Sequence, residues 1–230
     1  MRTMKKRNPT GHEELVAIPA GLVRIEGSLE IPAGAPGVVV FAHGSGSGRF
    51  SPRNQYVARV LRDAGFGTLL IDLLTAEEER AEARGAQLRF DIDLLSKRLM
   101  AAADWLEKRG GSELGIAYFG ASTGAGAALL AAAEQPHAVR AVVSRGGRPD
   151  LAGAALGRVL APTLLIVGGD DPVVIELNRE ALEGLACREK QLVIVPGATH
   201  LFEEPGTLER VAELATVWFE RHMGTAFRTH

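Results

Sequence analysis

At 230 residues, with 46% hydrophobic and 23% charged side chains, the chain can bury one sizeable core, which excludes a mostly disordered polymer. A net charge of -2 and only 5% aromatic residues exclude the basic stripe and stacking platforms of a nucleic-acid binder, and offer no attraction to an anionic membrane. A single cysteine, Cys187, excludes an intramolecular disulfide and a cysteine-rich metal site.

The basic start, Met1 to Arg7, runs into polar residues rather than an apolar signal segment, so residues 1–14 read as a flexible tail. No apolar run approaches the roughly 18 residues of a membrane span. The expectation is a soluble, cytoplasmic protein with one domain over residues 15–224 and a short tail over 225–230. Residues 15–19 and 23–31 flank Ala20-Gly21, and the second run alternates apolar and polar positions; together they predict an antiparallel hairpin at a sheet edge. Six short, nearly continuous apolar runs follow, at 38–41, 67–71, 115–119, 139–143, 164–167 and 192–195. Such runs mark strands buried on both faces of a parallel sheet. Helical patterns separate them, at 54–63, at 125–133, around Leu208, Val211, Leu214 and Trp218, and most clearly at 88–109. In that last segment Leu88, Ile92, Leu95, Leu99, Ala102 and Leu106 share one face. Alternating strands and helices predict an α/β domain with helices on both faces and no separate cap.

Gly120-Ala121-Ser122-Thr123-Gly124 sits between the strand ending at Phe119 and a small-residue helix. A turn this tight holds its serine in a strained conformation at the C-terminal sheet edge, and side chains at the flanking glycines would strike the strand and helix beside them. A helix-capping turn is the plainer alternative. No lysine follows the glycines, as a phosphate loop requires.

A serine hydroxyl needs a base, and the base needs an acid to hold its tautomer. Of six histidines, His12, His222 and His230 lie near the termini. His137 sits in a connection expected at the opposite sheet edge. His200 follows the last apolar run on a loop that ends at the edge carrying Ser122. Asp170 and Asp171 follow the preceding run, and Asp150 the one before that. Asp171 precedes Pro172, so its alternative role is a helix cap. Serine, aspartate and histidine in this chain order match a nucleophile-elbow hydrolase. The oxyanion of a tetrahedral intermediate needs backbone donors. Thr123 N–H follows the serine, and the loop His43-Gly44-Ser45-Gly46-Ser47-Gly48 offers Ser45, or else Gly46. The same loop, with the helix and strand that follow, also resembles a dinucleotide-binding unit, although Arg49 stands where its third glycine belongs.

On these residues, and on Gly169-Asp170-Asp171-Pro172-Val173-Val174 and Pro196-Gly197-Ala198-Thr199-His200-Leu201-Phe202, the chain from about Val23 to His222 resembles the dienelactone-hydrolase-like branch of the α/β-hydrolases. The resemblance implies an α/β-hydrolase fold with a mostly parallel eight-stranded sheet, ester hydrolysis through an acyl-enzyme, and no cofactor. It also implies that the acid is the aspartate before proline, Asp171. Dienelactone hydrolases proper use a cysteine nucleophile, whereas Ser122 stands here, so lactone specificity is not carried over. The expected ligand is a small ester. An acyltransferase using the same three residues, a non-catalytic binding protein, self-association and a partner enzyme domain stay open. Arg145 or Arg148, in Ser144-Arg145-Gly146-Gly147-Arg148-Pro149-Asp150, and Arg49 are candidates to bind an anionic substrate group, with structural ion pairs as the alternative; Arg53 carries the same ambiguity. Asp91 and Asp93 lack the partners of a metal pair and read as solvated or first-turn acids.

Overall fold

All six apolar runs become strands of one sheet in the computed structural model, which describes residues 12–110 and 114–224. The first five are buried along nearly their whole length, whereas the run at 192–195, expected to be buried on both faces, is a half-buried strand at the sheet edge. The strands are β1 (Glu14–Ala20), β2 (Val23–Glu30), β3 (Gly37–Ala42), β4 (Gly67–Ile71), β5 (Gly115–Ala121), β6 (Val139–Arg145), β7 (Thr163–Gly168) and β8 (Lys190–Val195). The predicted hairpin is β1 and β2, with Ile18 opposite Ile25 and both fully buried. β1 begins at Glu14, one residue inside the expected tail; residues 1–11 of that tail, and all of the tail at 225–230, lie outside the described residues.

The strand order is β1-β2-β4-β3-β5-β6-β7-β8. β2 runs antiparallel to β1 and β4, and every later pair is parallel. The C-terminal ends of β3, β5, β6, β7 and β8 therefore share one edge, where such sheets bind ligands.

Helices cover both faces. α1 (Pro52–Asp63) and α6 (Thr207–Met223) pack Val57, Leu61, Val211 and Phe219 against one; α3 (Ile92–Gly110) and α4 (Thr123–Glu134) pack Leu95, Leu99, Ala127 and Leu129 against the other. α5 (Pro172–Gly184) sets Val174 and Ile175 against Val167 of β7. Each fully buried leucine, isoleucine or phenylalanine stabilises the fold by about 1.5–3 kcal/mol relative to exposure.

Two local features depart from the sequence pattern. The helix predicted from residue 88 starts at Ile92, after a 3₁₀ turn over Leu88–Phe90. The Asp91 side chain accepts the Leu94 N–H at 2.9 Å, so it caps α3 rather than continuing the turn before it. α2 (Ala76–Glu82) is a helix that no apolar stripe announces, Glu82 being its one buried residue. Its start is a reciprocal capping box, in which Thr75 Oγ1 accepts the Glu78 N–H and the Glu78 carboxylate accepts the Thr75 N–H. No helix among the described residues is long and apolar enough to cross a membrane.

Candidate active site

Ser122 joins β5 to α4 at φ 49°, ψ -124°, a left-handed conformation that costs a non-glycine residue about 1–3 kcal/mol. The flanking glycines permit it. A Cβ on Gly120 would stand 2.4 Å from Ala125 Cα of α4, and one on Gly124 2.3 Å from the Ala42 carbonyl of β3. The strand and helix are thus closer than any side chain allows, which lifts Ser122 out of the sheet edge. Gly44 faces it across the cleft, its missing Cβ 3.0 Å from Ser122 Cβ.

His200 lies on the loop between β8 and α6, and that loop is tied down twice. Buried Phe202 anchors it in the core at φ 56°. The Glu204 carboxylate accepts the Thr199 N–H at 3.0 Å and its hydroxyl at 2.6 Å, which holds the Glu204 carboxyl below its ordinary range. From this loop His200 Nδ1 meets Asp171 Oδ2 at 2.7 Å. Asp171 is the cap residue of α5, yet its side chain makes no capping hydrogen bond and turns to the histidine instead. Asp170 is exposed, and Asp150 is engaged elsewhere. Of the three candidate acids, only Asp171 meets His200. Among the described residues no hydrogen bond joins His200 to Ser122. Gly146, the residue after β6, packs against the His200 loop, its missing Cβ 2.9 Å from the His200 carbonyl and 3.5 Å from the Phe202 ring.

The loop after β3, the candidate source of an oxyanion donor, is tied to the start of α4. Ser45 N–H, the expected donor, is given to Thr123 Oγ1 at 3.1 Å. The two predicted donor residues are therefore adjacent, but the Ser45 donor is latched to the Thr123 hydroxyl. His43 secures the base of the loop: Nδ1 donates to the Gly44 carbonyl at 2.9 Å and Nε2 accepts the Leu73 N–H at 3.0 Å. Burial pushes its pKa below 6.5, in keeping with this neutral, doubly bonded ring. A histidine at a strand end gave no sign in the sequence of this structural use.

A cleft of about 850 Å³ opens beside the elbow, lined by His43, Ser45, Ser51, Arg53, Thr123 and Leu201 among others, a size suited to a small molecule. Two arginines proposed from sequence as substrate contacts are committed elsewhere. Arg49 pairs with Asp72 and, at 2.6 Å, with Glu26, and lies 4.4 Å over the Phe50 ring. Arg148 holds Asp150 in two parallel hydrogen bonds of 2.9 and 2.7 Å. For both, the structural ion pair is what forms. Arg145 differs: it is 7% exposed and has no side-chain partner among the described residues. The Arg49–Asp72 pair also bears on the dinucleotide reading. Asp72 ends the β3-α1-β4 unit where a ribose-binding acid would stand, and Arg49 occupies it from both backbone and side chain.

Residues 25–225 match the dienelactone hydrolase family. A dienelactone hydrolase from Anabaena variabilis of known structure is 59% identical, with a TM-score of 0.89 over 92% of this chain and 98% of that one. An esterase structure from Pyrococcus furiosus, 17% identical, superposes with a TM-score of 0.77 over 97% of each chain and so shares the fold. Two Mycobacterium tuberculosis proteins, each named a "putative phosphoribosyl transferase", are 58% identical over 217 residues, 94% of this chain. The chain spans about half the length of these curated relatives, 48%.

Proposed function

The chain belongs to the dienelactone hydrolase family, and from that premise we propose that it is a serine hydrolase that cleaves small carboxylic esters through an acyl-enzyme. The observation that carries the reading is the 2.7 Å contact between His200 Nδ1 and Asp171, on the sheet edge where Ser122 is held in a strained turn.

The carboxylate holds the proton on Nδ1, which leaves the Nε2 lone pair as the base. Nε2 takes the Ser122 proton as Oγ bonds to the ester carbonyl carbon. The resulting oxyanion draws on the Thr123 N–H and on the Ser45 N–H, which exchanges Thr123 Oγ1 for the charged oxygen. Collapse breaks the bond to the alkoxide, which receives the proton from Nε2. Water repeats the sequence, giving one proton to Nε2 and its oxygen to the acyl carbon, and Ser122 leaves with that proton. Each oxyanion donor is worth about 10²–10³ in turnover.

The test is hydrolysis of para-nitrophenyl butyrate by the wild type and Ser122→Ala, with methanol as a competing acceptor. Release of butyric acid by the wild type alone is expected. Equal rates in both proteins would refute the reading, and predominant butyryl transfer to methanol would favour the acyltransferase alternative. We further assign the phosphoribosyl transfer in the relatives' names to the half of their length that this chain does not span; the chain's role beside such a domain would be a partner activity.

A further inference from the structure

We propose that Arg145 and Arg53 form a subsite for an anionic oxygen group, carboxylate or phosphate, carried by the substrate. The proposal deepens the serine-hydrolase reading and rests on it in treating that anion as part of a substrate.

Four arginines stand near the C-terminal sheet edge, and their partners separate them. Arg49 and Arg148 are each neutralised by carboxylates, Arg49 by two of them, although Arg49 Nε is buried without a partner. Arg53 gives Nη1 to Glu203 Oε1 at 3.0 Å, with its Nε buried and unpartnered. Arg145 has no acceptor among the described residues, and its Nε and Nη1 are both buried. A guanidinium taken out of water without a carboxylate is destabilising, and an unpaired buried charge is far costlier than a paired one. Its charged neighbour makes this worse: Arg53 is also a cation. Burial, with the Arg53 charge adding to it, pulls the Arg145 pKa down to about 10, which still leaves it protonated at neutral pH. Two cations, of which only Arg53 has a carboxylate partner, make an arrangement that an incoming anion would complete.

The position suits a substrate. Arg145 ends β6 opposite Ala121, its carbonyl accepts the Ser122 N–H at 3.4 Å, and the next residue packs on His200. Arg53 lines the cleft in the first turn of α1, whose N-terminal end carries partial positive charge. Glu203, three residues after His200, is 62% exposed, so its bond to Arg53 is a weakly held surface pair that a ligand can replace. Arg145 is not itself a lining residue of the cleft, so the anion would enter at Arg53, displace Glu203 and draw on the unpartnered Arg145 donors from there. The planar guanidinium suits the two oxygens of a carboxylate or phosphate.

Two measurements test this. The first is thermal unfolding of Ser122→Ala, which cannot turn over, with added inorganic phosphate or glutarate. The second is kcat/KM for the mono-para-nitrophenyl ester of glutaric acid against its distal primary amide, in the wild type, Arg145→Met, Arg145→Lys and Arg53→Met. Glutarate should raise the Tm of Ser122→Ala, and the rise should vanish when Arg145→Met is added. The acid-to-amide preference should fall by about tenfold or more in Arg145→Met and Arg53→Met, and less in Arg145→Lys, which keeps the charge without the fork. Anion stabilisation with an unaltered acid-to-amide ratio would mean a fixed structural anion and overturn the proposal, as would no effect in either measurement. If Arg145→Met fails to fold, Arg53→Met and Arg145→Lys decide by the same ratio. Should the wild type hydrolyse neither ester, the hydrolase reading fails, while the glutarate measurement on Ser122→Ala still decides whether the anion site exists.

Discussion

At the scale of single residues, Asp170 and Asp171 pose a controlled comparison. They are adjacent, chemically identical and both follow β7, yet only Asp171 reaches His200 Nδ1, while Asp170 points to solvent. Adjacent side chains diverge at the end of a strand, so one position can be occupied with the other left idle. If Asp171 fixes the tautomer, Asp171→Asn should lower kcat by on the order of 10⁴, because an amide facing Nδ1 can donate and so favours the wrong tautomer. Asp170→Asn should leave kcat within a factor of about two, as expected for an exposed surface change. Steady-state kinetics on one para-nitrophenyl ester check both, and comparable losses in the two variants would count against the assignment. Here the sequence narrowed the choice to neighbours, and the resemblance pointed to the residue before proline. What settles the contact is the path of a loop 29 residues away. Arginine partners were less legible still. Arg49 pairs with Asp72 and Glu26, and Arg145 lies beside Arg53; these neighbours are brought together by sheet order, not by sequence spacing.

At the scale of elements, the candidate oxyanion loop depends on the junction between β3 and β4. His43 ties the end of β3 to Leu73, just past β4, and its neutral ring both donates and accepts. Its pKa is below 6.5 in the folded protein, so the unfolded chain binds the proton more readily. The His43 contribution to stability is therefore complete above about pH 6.5 and is lost as pH falls through the lowered folded value. Thermal melts between about pH 8 and pH 5 should show His43→Gln losing less Tm than the wild type over the acid half of that range. An identical acid slope in both proteins would show that the His43 ring does not carry this dependence. The strands themselves were readable because burial on both faces removes alternation, and the hairpin because one wet face restores it. α2 and the late start of α3 were harder. Both are decided by side chains bonding to backbone, Thr75 with Glu78 and Asp91 with Leu94, and not by an apolar stripe. The Thr75-x-x-Glu78 signature was present and would have located the first of them.

At the scale of the molecule, a parallel sheet converts chain order into a shared edge. Ser122, Asp171 and His200 are 78 residues apart from first to last, yet each follows a strand whose C-terminal end lies on that edge. This is why strand ends in the sequence are enough to bring the three candidate residues to one edge. It is also why the cleft wall could not be read, since that wall is built from α1, the β3 loop and the His200 loop together. The same architecture in the Anabaena variabilis dienelactone hydrolase, over nearly its whole length, makes the family secure, and leaves the chemistry of Ser122 as the central claim. The most direct measurement is intact-mass analysis of wild type and Ser122→Ala after exposure to a fluorophosphonate. The account predicts one adduct on the wild type, mapped to Ser122, and none on Ser122→Ala. A folded wild type that stays unlabelled, or a Ser122→Ala protein that labels equally, would contradict it.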